Sequence, residues 1–496
     1  MQIGIDIGGT FTDFVFYDES GRLHTFKILS TPRDPAEAVL DGLQRLSRQY
    51  AVSSRQNPDP NTDDGSLDTE HWHVVHGSTI ATNTLLERTG ARTAFVTTRG
   101  FRDMLTIGRQ NREHIYDFFA DRPEPLVPPE RCFAVDERVD YQGKVLRPLA
   151  DDELSPLAAA LQAAGVESVA ISLLFSFHHP AHEERIAEVL QRAGFEVSRS
   201  SEVLPEFREY ERASTTVINA YVGPRVAHYL ARLAEHDSIA ELRVMQSNGG
   251  SLRADKAGRE AVRTILSGPA GGVVGAVRIA RAAGLARVIT FDMGGTSTDV
   301  SLSEGSPRVT TEAAIGGLPV RVPVIDIHTV GAGGGSIGAV DAGGALRVGP
   351  QSAGADPGPA CYGRGGTAPT VTDANVVLGR LAADEFLGGG MALDPTAAEQ
   401  ALTRLAEAAG LGGHDGLSPG QLAALGMVAV ANAHMARALR VISVERGYDP
   451  RDFVLISFGG AGGLHACELA RSLGIRRVFV PPGASTLSAY GMLAAD

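Results

Sequence analysis

The sequence predicts an α/β protein with two similar lobes, and two observations lead to this prediction. A nine-residue stretch occurs twice, as IDIGGTFTD at 5–13 and as FDMGGTSTD at 291–299, and each copy joins two apolar, β-branched runs. Elsewhere, short strand patterns alternate with helical patterns along most of the chain, as in α/β proteins. Each copy predicts a β-hairpin with a tight Gly-Gly turn. The duplication therefore predicts two similar lobes that face one shared site.

The residue types in these turns favour phosphate binding. Consecutive glycines let the backbone approach an anion closely and point successive N–H groups at it, and threonine hydroxyls add further donors. A single Asp-x-Gly-Gly sequence is as often only a tight hairpin, but two copies that align over nine positions favour a binding role. The predicted phosphate-binding residues are Gly8, Gly9, Thr10 and Thr12 in the first copy and Gly294, Gly295, Thr296 and Thr298 in the second.

Two aspartates recur at equivalent positions of the two copies, as Asp6 and Asp13 and as Asp292 and Asp299. A carboxylate repels phosphate, but it can hold Mg2+ through water or orient an attacking nucleophile. We therefore expect a magnesium site at Asp6 and Asp292. We expect the catalytic groups among Asp13, Asp292 and Asp299.

The overall composition is that of an ordinary globular protein, with 43% hydrophobic and 21% charged residues. A chain of 496 residues is too long for one core and predicts at least two domains. The net charge of −13 argues against nucleic acid or an anionic membrane as the main partner. No uninterrupted apolar run of about 18 residues occurs, the chain begins with a strand in place of a signal peptide, and the three cysteines are widely spaced. We expect a cytoplasmic protein without a disulfide framework or a zinc site.

The order of predicted elements divides the chain into two lobes. The proline- and aspartate-rich stretch 53–68 predicts a surface loop. The run 202–210 breaks the alternation of strands and helices, so we assign residues 1–200 to a first lobe and 201–496 to a second. Within the second lobe, the Gly/Pro-rich stretch 341–372 predicts a long loop.

Three more glycine-rich stretches lie in the second half of the chain. SGPAGG at 267–272 precedes a predicted helix and is a candidate anion site, and TVGAGGGS at 329–336 predicts another turn. A strand at 453–458 leads through a glycine-rich turn into a helix. Such a unit forms a floor on which adenine and ribose can lie, and the residues predicted to face the nucleoside are Gly459, Gly460, Gly462 and Gly463.

Two clusters each have a binding and a structural interpretation. Three histidines have the composition of a metal site, but a strand places the third on the face opposite to the first two, so surface or locally bonded histidines are favoured. A dense basic set either binds a carboxylate or phosphate of a substrate or pairs with the acidic surface. The histidines are His71, His73 and His76, and the basic set is Arg112 with the candidate substrate residues Arg99, Arg102 and Arg109.

Several runs resemble the A-type subunit of the hydantoinase/oxoprolinase family. They are HGSTIATN at 76–83, TRGFRD at 98–103, SGPAGG at 267–272, TVGAGGGS at 329–336 and PGPACYG at 357–363. The two hairpins and the turn at 459–463 also resemble the phosphate-1, phosphate-2 and adenosine elements of the superfamily of actin, sugar kinases and heat-shock chaperone ATPases. The resemblance extends from residue 1 to the C-terminus. It implies the two-lobed fold of that superfamily, a duplicated ribonuclease H-like unit.

The resemblance also implies ATP- and Mg2+-dependent opening of a cyclic amide such as a hydantoin, a lactam or 5-oxoproline. Phosphorylation of the amide oxygen would precede hydrolysis, and a B-type subunit would join the chain in a homo- or hetero-oligomer. A carboxylase that phosphorylates a ketone, a small-molecule kinase, and a nucleotide-operated chaperone or scaffold are the alternatives. A-type chains usually continue past the position of Asp496 into a C-terminal domain that is absent from this sequence, and usually have Pro where Gly463 stands.

Overall fold

We describe the protein from a computed structural model, which describes residues 1–18, 20–31, 34–56, 72–111, 116, 117 and 123–495. His71 and Arg112 lie outside the described residues. The surface loop expected at 53–68 also lies outside them, except for its first four residues, which end the first helix.

The strands of the described part are, in chain order, β1 (Gln2–Ile7), β2 (Phe11–Tyr17), β3 (Leu23–Leu29), β4 (Trp72–Gly77), β5 (Thr93–Thr98), β6 (Cys132–Val135), β7 (Arg138–Val139), β8 (Val145–Arg147), β9 (Ser168–Ser172), β10 (Glu196–Arg199), β11 (Ile239–Met245), β12 (Ser251–Arg253), β13 (Arg287–Met293), β14 (Thr298–Glu304), β15 (Val309–Thr310), β16 (Ala313–Ile315), β17 (Leu318–Val320), β18 (Val324–Ile325), β19 (Ile327–Val330), β20 (Ser336–Val340), β21 (Leu346–Ser352), β22 (Val454–Phe458) and β23 (Val478–Phe479). The α-helices are α1 (Pro35–Gln56), α2 (Ile80–Leu86), α3 (Met104–Ile107), α4 (Leu154–Ala163), α5 (Ala181–Arg192), α6 (Ser200–Val203), α7 (Glu209–Ala234), α8 (Ala254–Arg259), α9 (Ser267–Ala282), α10 (Val371–Val377), α11 (Pro395–Ala408), α12 (Pro419–Ile442), α13 (Ala466–Leu473) and α14 (Leu487–Leu493).

Two sheets have the same topology. The first has the order β12-β11-β4-β1-β2-β3, and the second has the order β19-β14-β13-β22-β23. In each sheet the first two strands form an antiparallel hairpin, and a third strand pairs antiparallel with the second. The fourth strand lies parallel to the first on its other side, and the fifth lies parallel to the fourth. The order third, second, first, fourth, fifth is therefore common to both lobes. This confirms the predicted duplicated, ribonuclease H-like α/β fold.

The central strand of each main sheet is buried on both faces. Ile3 and Ile5 of β1 are fully buried on one face, and an added Cβ on Gly4 of the other face would lie 2.2 Å from the carbonyl oxygen of Ala489. In β13, Ile289 and Phe291 are buried on one face, and Val288 and Thr290 are buried on the other. Burial on both faces explains why β13 departs from a strict alternation of apolar and polar residues. Each central strand ends directly at a Gly-Gly turn, so the position of the turn is set by the most firmly packed strand of its lobe.

A third sheet is inserted into the first lobe between β4 and β11. Its strands β10, β9, β5 and β6 are all parallel. Helices α4 and α5 contribute Leu161 and Leu190 to the core with Val96 and Ile171 of the sheet, and α7 packs against β9. Helices thus cover this parallel sheet, as parallel sheets require.

The first lobe extends beyond the boundary expected near residue 200. Strand β11 lies beside β4 in the first sheet, and α7 leads to it from the inserted sheet. Parallel neighbours such as β4 and β11 need a crossover helix, because a tight hairpin joins only antiparallel strands. The run 202–210 is consequently a connection within the first lobe.

Two glycine-rich stretches form regular elements that the sequence did not reveal. The stretch 341–372, expected to be a loop, contains β21, which pairs with β20 as an antiparallel ribbon. The stretch 267–272, expected to precede a helix, forms the first turns of α9. Glycine lowers the propensity for both strand and helix. In α9 the glycines are nevertheless needed, because α14 crosses closely over them.

The segment Pro419–Arg446, which contains α12, has the length and apolar composition of a membrane-spanning helix. In the described structure it packs inside the second lobe. Met427, Met435 and Leu439 are fully buried in the core that α12 shares with α10 and α11. Its apolar composition is therefore explained by packing within the protein.

The substitution Gly491→Ala is expected to destabilise the protein. Helix α14 crosses α9 so closely that the added Cβ would overlap the carbonyl oxygen of Gly271. Overpacking of this kind costs about 1–3 kcal/mol, measured as a change in the free energy of unfolding in urea. Gly223→Ala in α7 is the matched control, because the nearest atom to its added Cβ lies 3.6 Å away. Equal stability of the two variants would contradict the close packing.

Candidate functional site

The turns of the two hairpins meet across a cleft between the lobes. They close in the same way, each with a glycine N–H that donates to the carbonyl three residues later, at 2.9 Å in the first and 3.0 Å in the second. An added Cβ on Gly295 would lie 2.5 Å from Thr10 Oγ1, and one on Gly9 would lie 3.4 Å from Thr296 Cγ2. The approach of the turns therefore requires glycine at Gly295.

The cleft has a volume of about 1000 Å³, at the upper end of the range of about 300–1,000 Å³ usual for small-molecule sites. Both lobes contribute to its wall, so the structure brings most of the predicted site residues together. Those in the lining are Asp6, Gly8, Gly9, Thr10, Asp13, Asp292, Gly294, Gly295, Thr296, Asp299, Gly459 and Gly460.

Burial disfavours the ionised forms of the four aspartates of the cleft, and repulsion between carboxylates adds to this at Asp6 and Asp292. Asp6 lies opposite Asp13 in the β1–β2 pairing, and Asp292 lies opposite Asp299 in the β13–β14 pairing. Burial, and then repulsion by Asp13 and Asp292, raises the pKa of Asp6 well above its usual value. Burial, and then repulsion by Asp299, raises the pKa of Asp292 to about 7, and burial raises the pKa of Asp299 to about 6. The cleft therefore favours a ligand that brings positive charge.

The donor groups at Asp6 fit a hard cation such as Mg2+. Asp6 Oδ1 is buried and has no hydrogen-bond partner among the described residues, and an added Cβ on Gly77 or Gly268 would lie 3.1 Å from it. The two glycines thus let the backbone approach an unpaired carboxylate oxygen closely, and carboxylate oxygens are the ligands that Mg2+ prefers. Within the described ranges, no three His, Cys, Asp or Glu side chains form a metal-binding group. Such an ion would therefore need ligands from phosphate and water as well.

Lys27 is a residue of the cleft that the sequence did not reveal. Its Nζ lies 2.5 Å from Asp13 Oδ1 and donates to the carbonyl of Ser485 at 2.6 Å. Burial raises the pKa of Asp13, and the charge of Lys27 opposes that rise. Lys27 is the cross-strand neighbour of Asp13 in the β2–β3 pairing. The register of those two strands is the signal that would have identified it.

Thr12 and Thr298 lie behind the turns, which corrects the prediction that they bind phosphate. Both are fully buried. Thr12 Oγ1 lies 3.1 Å from Ser30 Oγ, and Thr298 Oγ1 donates to the carbonyl of Ala332 at 2.5 Å. Successive side chains on a strand point to opposite faces. Because the aspartates that follow them face the cleft, these threonines face away from it.

The glycine-rich stretch 329–336 supports the second turn from behind. Its Gly334 and Gly335 N–H groups donate to carbonyls of that turn at 3.0 and 2.6 Å. In the first lobe Ser30 has the same role, since its N–H and hydroxyl donate to carbonyls of the first turn at 3.0 and 2.8 Å. The two turns are thus held by equivalent contacts.

Two of the four glycines predicted to face a nucleoside line the cleft. Gly459, which has φ +78°, follows β22, and its N–H donates to the carbonyl of Ala484 at 3.0 Å. Gly460 lies beside it in the lining. Gly462 is buried behind the turn, where an added Cβ would lie 2.8 Å from Ser457 Oγ, and Gly463 lies outside the lining. The short helical turn at 462–464 carries these two glycines away from the cleft.

The motifs at 76–83 and 267–272 pack against each other. Ser267 Oγ accepts from the Ser78 N–H at 3.3 Å and donates to the Ser78 carbonyl at 3.1 Å. Thr79 and Gly268, the residues that follow, line the cleft. The joined starts of α2 and α9 thus form the part of the cleft wall nearest Asp6.

The two described histidines of the predicted cluster have separate local partners. His73 lies at the surface, 3.3 Å from Glu241. His76 is buried, 2.7 Å from the hydroxyl of Tyr229, and burial lowers its pKa to about 4. The favoured interpretation, surface or locally bonded histidines, is confirmed for these two residues.

Arg99, Arg102 and Arg109 follow β5, away from the cleft. Arg99 pairs with Asp136 at 3.3 Å, and Arg102 donates to a backbone carbonyl at 2.8 Å. Arg109 forms a two-point pair with Glu211 at 2.8 and 2.5 Å. These three described arginines are absent from the cleft lining, which corrects the expectation that they contact a substrate there. Their charges are matched by nearby carboxylates and a carbonyl.

Comparison with known proteins identifies the family of the chain. Residues 2–194 match the family described as hydantoinase/oxoprolinase N-terminal region, and residues 212–496 match the one described as hydantoinase/oxoprolinase. The chain belongs to the hydantoinase/oxoprolinase family. The resemblance inferred from the motifs is thereby confirmed.

Several enzymes of the hydantoinase/oxoprolinase family are similar to the whole chain. Caprolactamase subunit alpha of Pseudomonas jessenii is 38% identical over 505 residues, which cover 100% of this chain and 70% of that protein. 5-Oxoprolinase 1 of Arabidopsis thaliana is 37% identical over 536 residues, which cover 100% of this chain and 41% of that protein. The nucleotide-free structure of acetone carboxylase has a TM-score of 0.85 at 30% identity, covering 100% of this chain and 70% of that chain. The structure of ATP-dependent caprolactamase from P. jessenii has a TM-score of 0.80 at 37% identity, covering 99% and 70%.

The stability of the metal- and nucleotide-free protein is expected to fall as the pH rises from about 4 to 7. The pKa of Asp292 is about 7 in the folded chain against 3.8 for an ordinary aspartate. The folded state therefore binds this proton more tightly, and the stability it confers is lost as the pH rises through the folded pKa. Asp292→Asn should flatten the dependence of the melting temperature on pH. Asp237→Asn, on the surface, should leave the pH dependence of the melting temperature unchanged. If Asp292→Asn had the same pH dependence as the wild-type protein, the raised pKa assigned to Asp292 would be contradicted.

Arg109→Ala is expected to lower stability by about 1 kcal/mol or less, because it removes an ion pair whose arginine is 49% exposed. The Michaelis constants for nucleotide and substrate should stay at wild-type values, since Arg109 pairs with Glu211 outside the cleft. Urea unfolding and steady-state kinetics measure the two effects. A raised Michaelis constant at unchanged stability would restore the substrate interpretation of these arginines.

Proposed function

We propose that the chain is the nucleotide-binding subunit of an ATP-dependent amidohydrolase that opens a cyclic amide, such as a lactam, a hydantoin or 5-oxoproline. The observation that carries the proposal is the meeting of two Asp-x-Gly-Gly turns across one cleft, with an aspartate pair on each side. Phosphates between such turns are contacted from both lobes, which positions the terminal phosphate for transfer. The relatives named caprolactamase and 5-oxoprolinase support the substrate class.

Phosphorylation makes an unreactive amide open to hydrolysis. The amide carbonyl oxygen attacks the γ-phosphorus, the bond from that phosphorus to the β–γ bridging oxygen breaks, and ADP leaves. Water then adds to the carbon of the O-phosphorylated imidate. The adduct expels the amine as the C–N bond breaks, and a second water hydrolyses the resulting acyl phosphate to a carboxylate and inorganic phosphate. The first transfer is the step assigned to this chain, and such transfers depend mainly on positioning and electrostatic stabilisation.

Asp6 and Asp292 would hold Mg2+ together with phosphate oxygens and water. The bound ion would neutralise charge on the phosphates and on the two carboxylates. The chain keeps Asp6 Oδ1 unpaired for this purpose. It also places Gly459 against Asp292 Oδ1, where any larger residue would overlap that oxygen.

Asp299 is the better placed of the remaining aspartates to act as a general base. Its pKa of about 6 lies near neutral pH, which suits a general base. The hydroxyl of Thr329 donates to Asp299 Oδ1 at 2.5 Å and orients the carboxylate. Asp13 is instead paired with Lys27. The ammonium group of Lys27 suits stabilisation of the terminal phosphate.

A B-type subunit would complete the hydrolysis in a hetero-oligomer. The caprolactamase relative is named as a subunit alpha, which supports assembly with a second kind of chain. In this arrangement the present chain transfers the phosphoryl group, and the partner adds water and opens the ring. The cytoplasmic location expected from the sequence stays a prediction.

A second candidate is a carboxylase subunit that phosphorylates a ketone or its enolate for reaction with carbon dioxide. The similarity to acetone carboxylase favours it, with a TM-score of 0.85 over the whole chain. The phosphate-binding part of the cleft would serve both reactions equally. A product that requires bicarbonate would distinguish the carboxylase from the amidohydrolase.

The test is phosphate release from ATP by the purified chain, with and without a B-type partner. Hydantoin, caprolactam, 5-oxoproline and a simple ketone with bicarbonate are compared as substrates. We expect a cyclic amide to stimulate release several-fold and to yield a ring-opened product. Stimulation by the ketone alone would favour the carboxylase. Nucleotide binding without stimulation by any of these compounds, even with the partner present, would contradict both proposals.

Asp292→Asn is expected to reduce substrate-stimulated phosphate release by about 100-fold or more, a loss typical of a group that stabilises developing charge. The substitution keeps the size of the side chain but removes the charge that would hold Mg2+. Asp237→Asn at the surface should keep full activity. Wild-type turnover by a correctly folded Asp292→Asn variant would rule out the assigned role.

A further inference from the structure

A chain of five polar side chains in the second lobe leads to one buried amide beside the cleft. Arg380 Nη2 donates to Glu468 Oε1 at 2.9 Å, and Asn432 Nδ2 donates to Glu468 Oε2 at 2.5 Å. His465 Nδ1 lies 2.7 Å from Asn432 Oδ1. His465 Nε2 lies 3.5 Å from Asn375 Nδ2. Arg380 and Asn375, the two ends of the chain, line the cleft.

The orientation of each group follows from the one before it. A carboxylate only accepts, so Asn432 turns its Nδ2 to Glu468 and its Oδ1 to His465. His465 Nδ1 therefore carries the proton, and Nε2 is left to accept from Asn375. Burial lowers the pKa of His465 to about 4, so the ring is neutral near pH 7. Asn375 is fixed a second time, because its Nδ2 also donates to the carbonyl of Val371 at 2.9 Å.

This arrangement leaves one acceptor unused. Asn375 is 1% exposed, and its Oδ1 has no hydrogen-bond partner among the described residues. Its amide cannot rotate to satisfy the oxygen, because the nitrogen is held by a carbonyl and by a ring nitrogen that both accept. A buried polar atom without a partner is costly and uncommon. Asn375 lines the cleft, and its oxygen, which is buried in the ligand-free chain, would gain the partner that it lacks from a donor on a ligand that reaches it.

The position of Asn375 indicates which part of a nucleotide would reach it. Thr372, near the start of α10, donates its N–H and hydroxyl to the carbonyl of Gly334 at 2.7 and 2.9 Å. Gly334 in turn supports the second phosphate turn, through Gly294. Asn375 lies about one helical turn after Thr372 along α10. Its neighbour His465 lies two residues after Gly463, the last glycine of the segment expected to face the nucleoside.

We propose that Asn375 Oδ1 accepts a hydrogen bond from the nucleoside half of the bound nucleotide and thereby sets nucleotide selectivity. The donor is either the N6 amino group of adenine or a ribose hydroxyl. The inference rests on the proposed use of ATP. It assigns recognition to a side chain of α10, outside the glycine-rich turns.

Equilibrium binding to the purified chain, measured by calorimetry with Mg2+ present, tests the proposal without turnover. The probes are ATP, 2′-deoxy-ATP, 3′-deoxy-ATP and purine riboside triphosphate, which lacks the 6-amino group. One analogue is expected to bind wild-type protein about 5- to 15-fold more weakly than ATP, the effect of one hydrogen bond. Asn375→Leu should weaken the binding of ATP by the same factor and leave the affinity for that analogue unchanged, so that the variant binds both nucleotides equally. The analogue that responds identifies the donor.

Two results would overturn the proposal. The first is equal affinity of the wild-type protein for all four nucleotides, a result that does not depend on the folding of any variant. The second is an Asn375→Leu variant that still discriminates between the nucleotides as strongly as the wild-type protein does. Asn219→Leu is the matched control, because that buried amide has all its partners within the protein, at 2.8–3.0 Å. It should lower stability without changing discrimination. A failure of the amidohydrolase proposal would instead appear as nucleotide binding without amide-stimulated phosphate release.

Discussion

The burial of four aspartates around one cleft is the constraint on which the rest of the structure depends. The members of each pair lie opposite one another on adjacent antiparallel strands, so they cannot separate unless a sheet is broken. The raised pKa values of Asp6, Asp292 and Asp299 mean that the folded chain holds these groups where their ionised forms are disfavoured. The buried central strands β1 and β13 stabilise the fold against this cost. The cleft is thus arranged to bind a charged ligand, and this arrangement lowers the stability of the ligand-free protein.

The contact between the two turns makes the geometry of the site a property of both lobes. Each turn is held from behind by its own lobe, the first by Ser30 and the second by the stretch 329–336. The turns nevertheless touch at Thr10 and Gly295, so any rotation of one lobe against the other changes the space between them. Helix α14, near the end of the described chain, packs on α9 and β1 and links the end of the chain to the first lobe. Opening of the cleft would therefore also disturb this packing or bend the segment between α13 and α14.

The duplicated stretch was sufficient to predict the fold and the centre of the cleft, because its glycines and aspartates are adjacent in sequence. The sequence could not assign Thr12 and Thr298, since only the pleat of strands β2 and β14 decides which side chains face the ligand. Lys27 was missed because its partner lies across a strand pair whose register the sequence does not fix. Asn375 belongs to no sequence motif, and its relevance follows only from its hydrogen bonds to His465 and to the carbonyl of Val371. The expected boundary near residue 200 failed for a similar reason, because β11 joins β4 only after a long crossover.

The two copies differ at one equivalent position, and this difference separates their roles. In the first lobe the cross-strand neighbour of Asp13 is Lys27, and in the second the cross-strand neighbour of Asp299 is Thr329. The charge of Lys27 opposes the rise that burial causes in the pKa of Asp13, whereas the hydroxyl of Thr329 orients Asp299, whose pKa of about 6 allows proton exchange near neutral pH. A symmetric pair of lysines would balance the negative charge of the site more fully, but neither aspartate could then act as a base. One lysine and one threonine retain a base on the second lobe and a cation on the first, so the duplicated fold supplies two different groups to one phosphate.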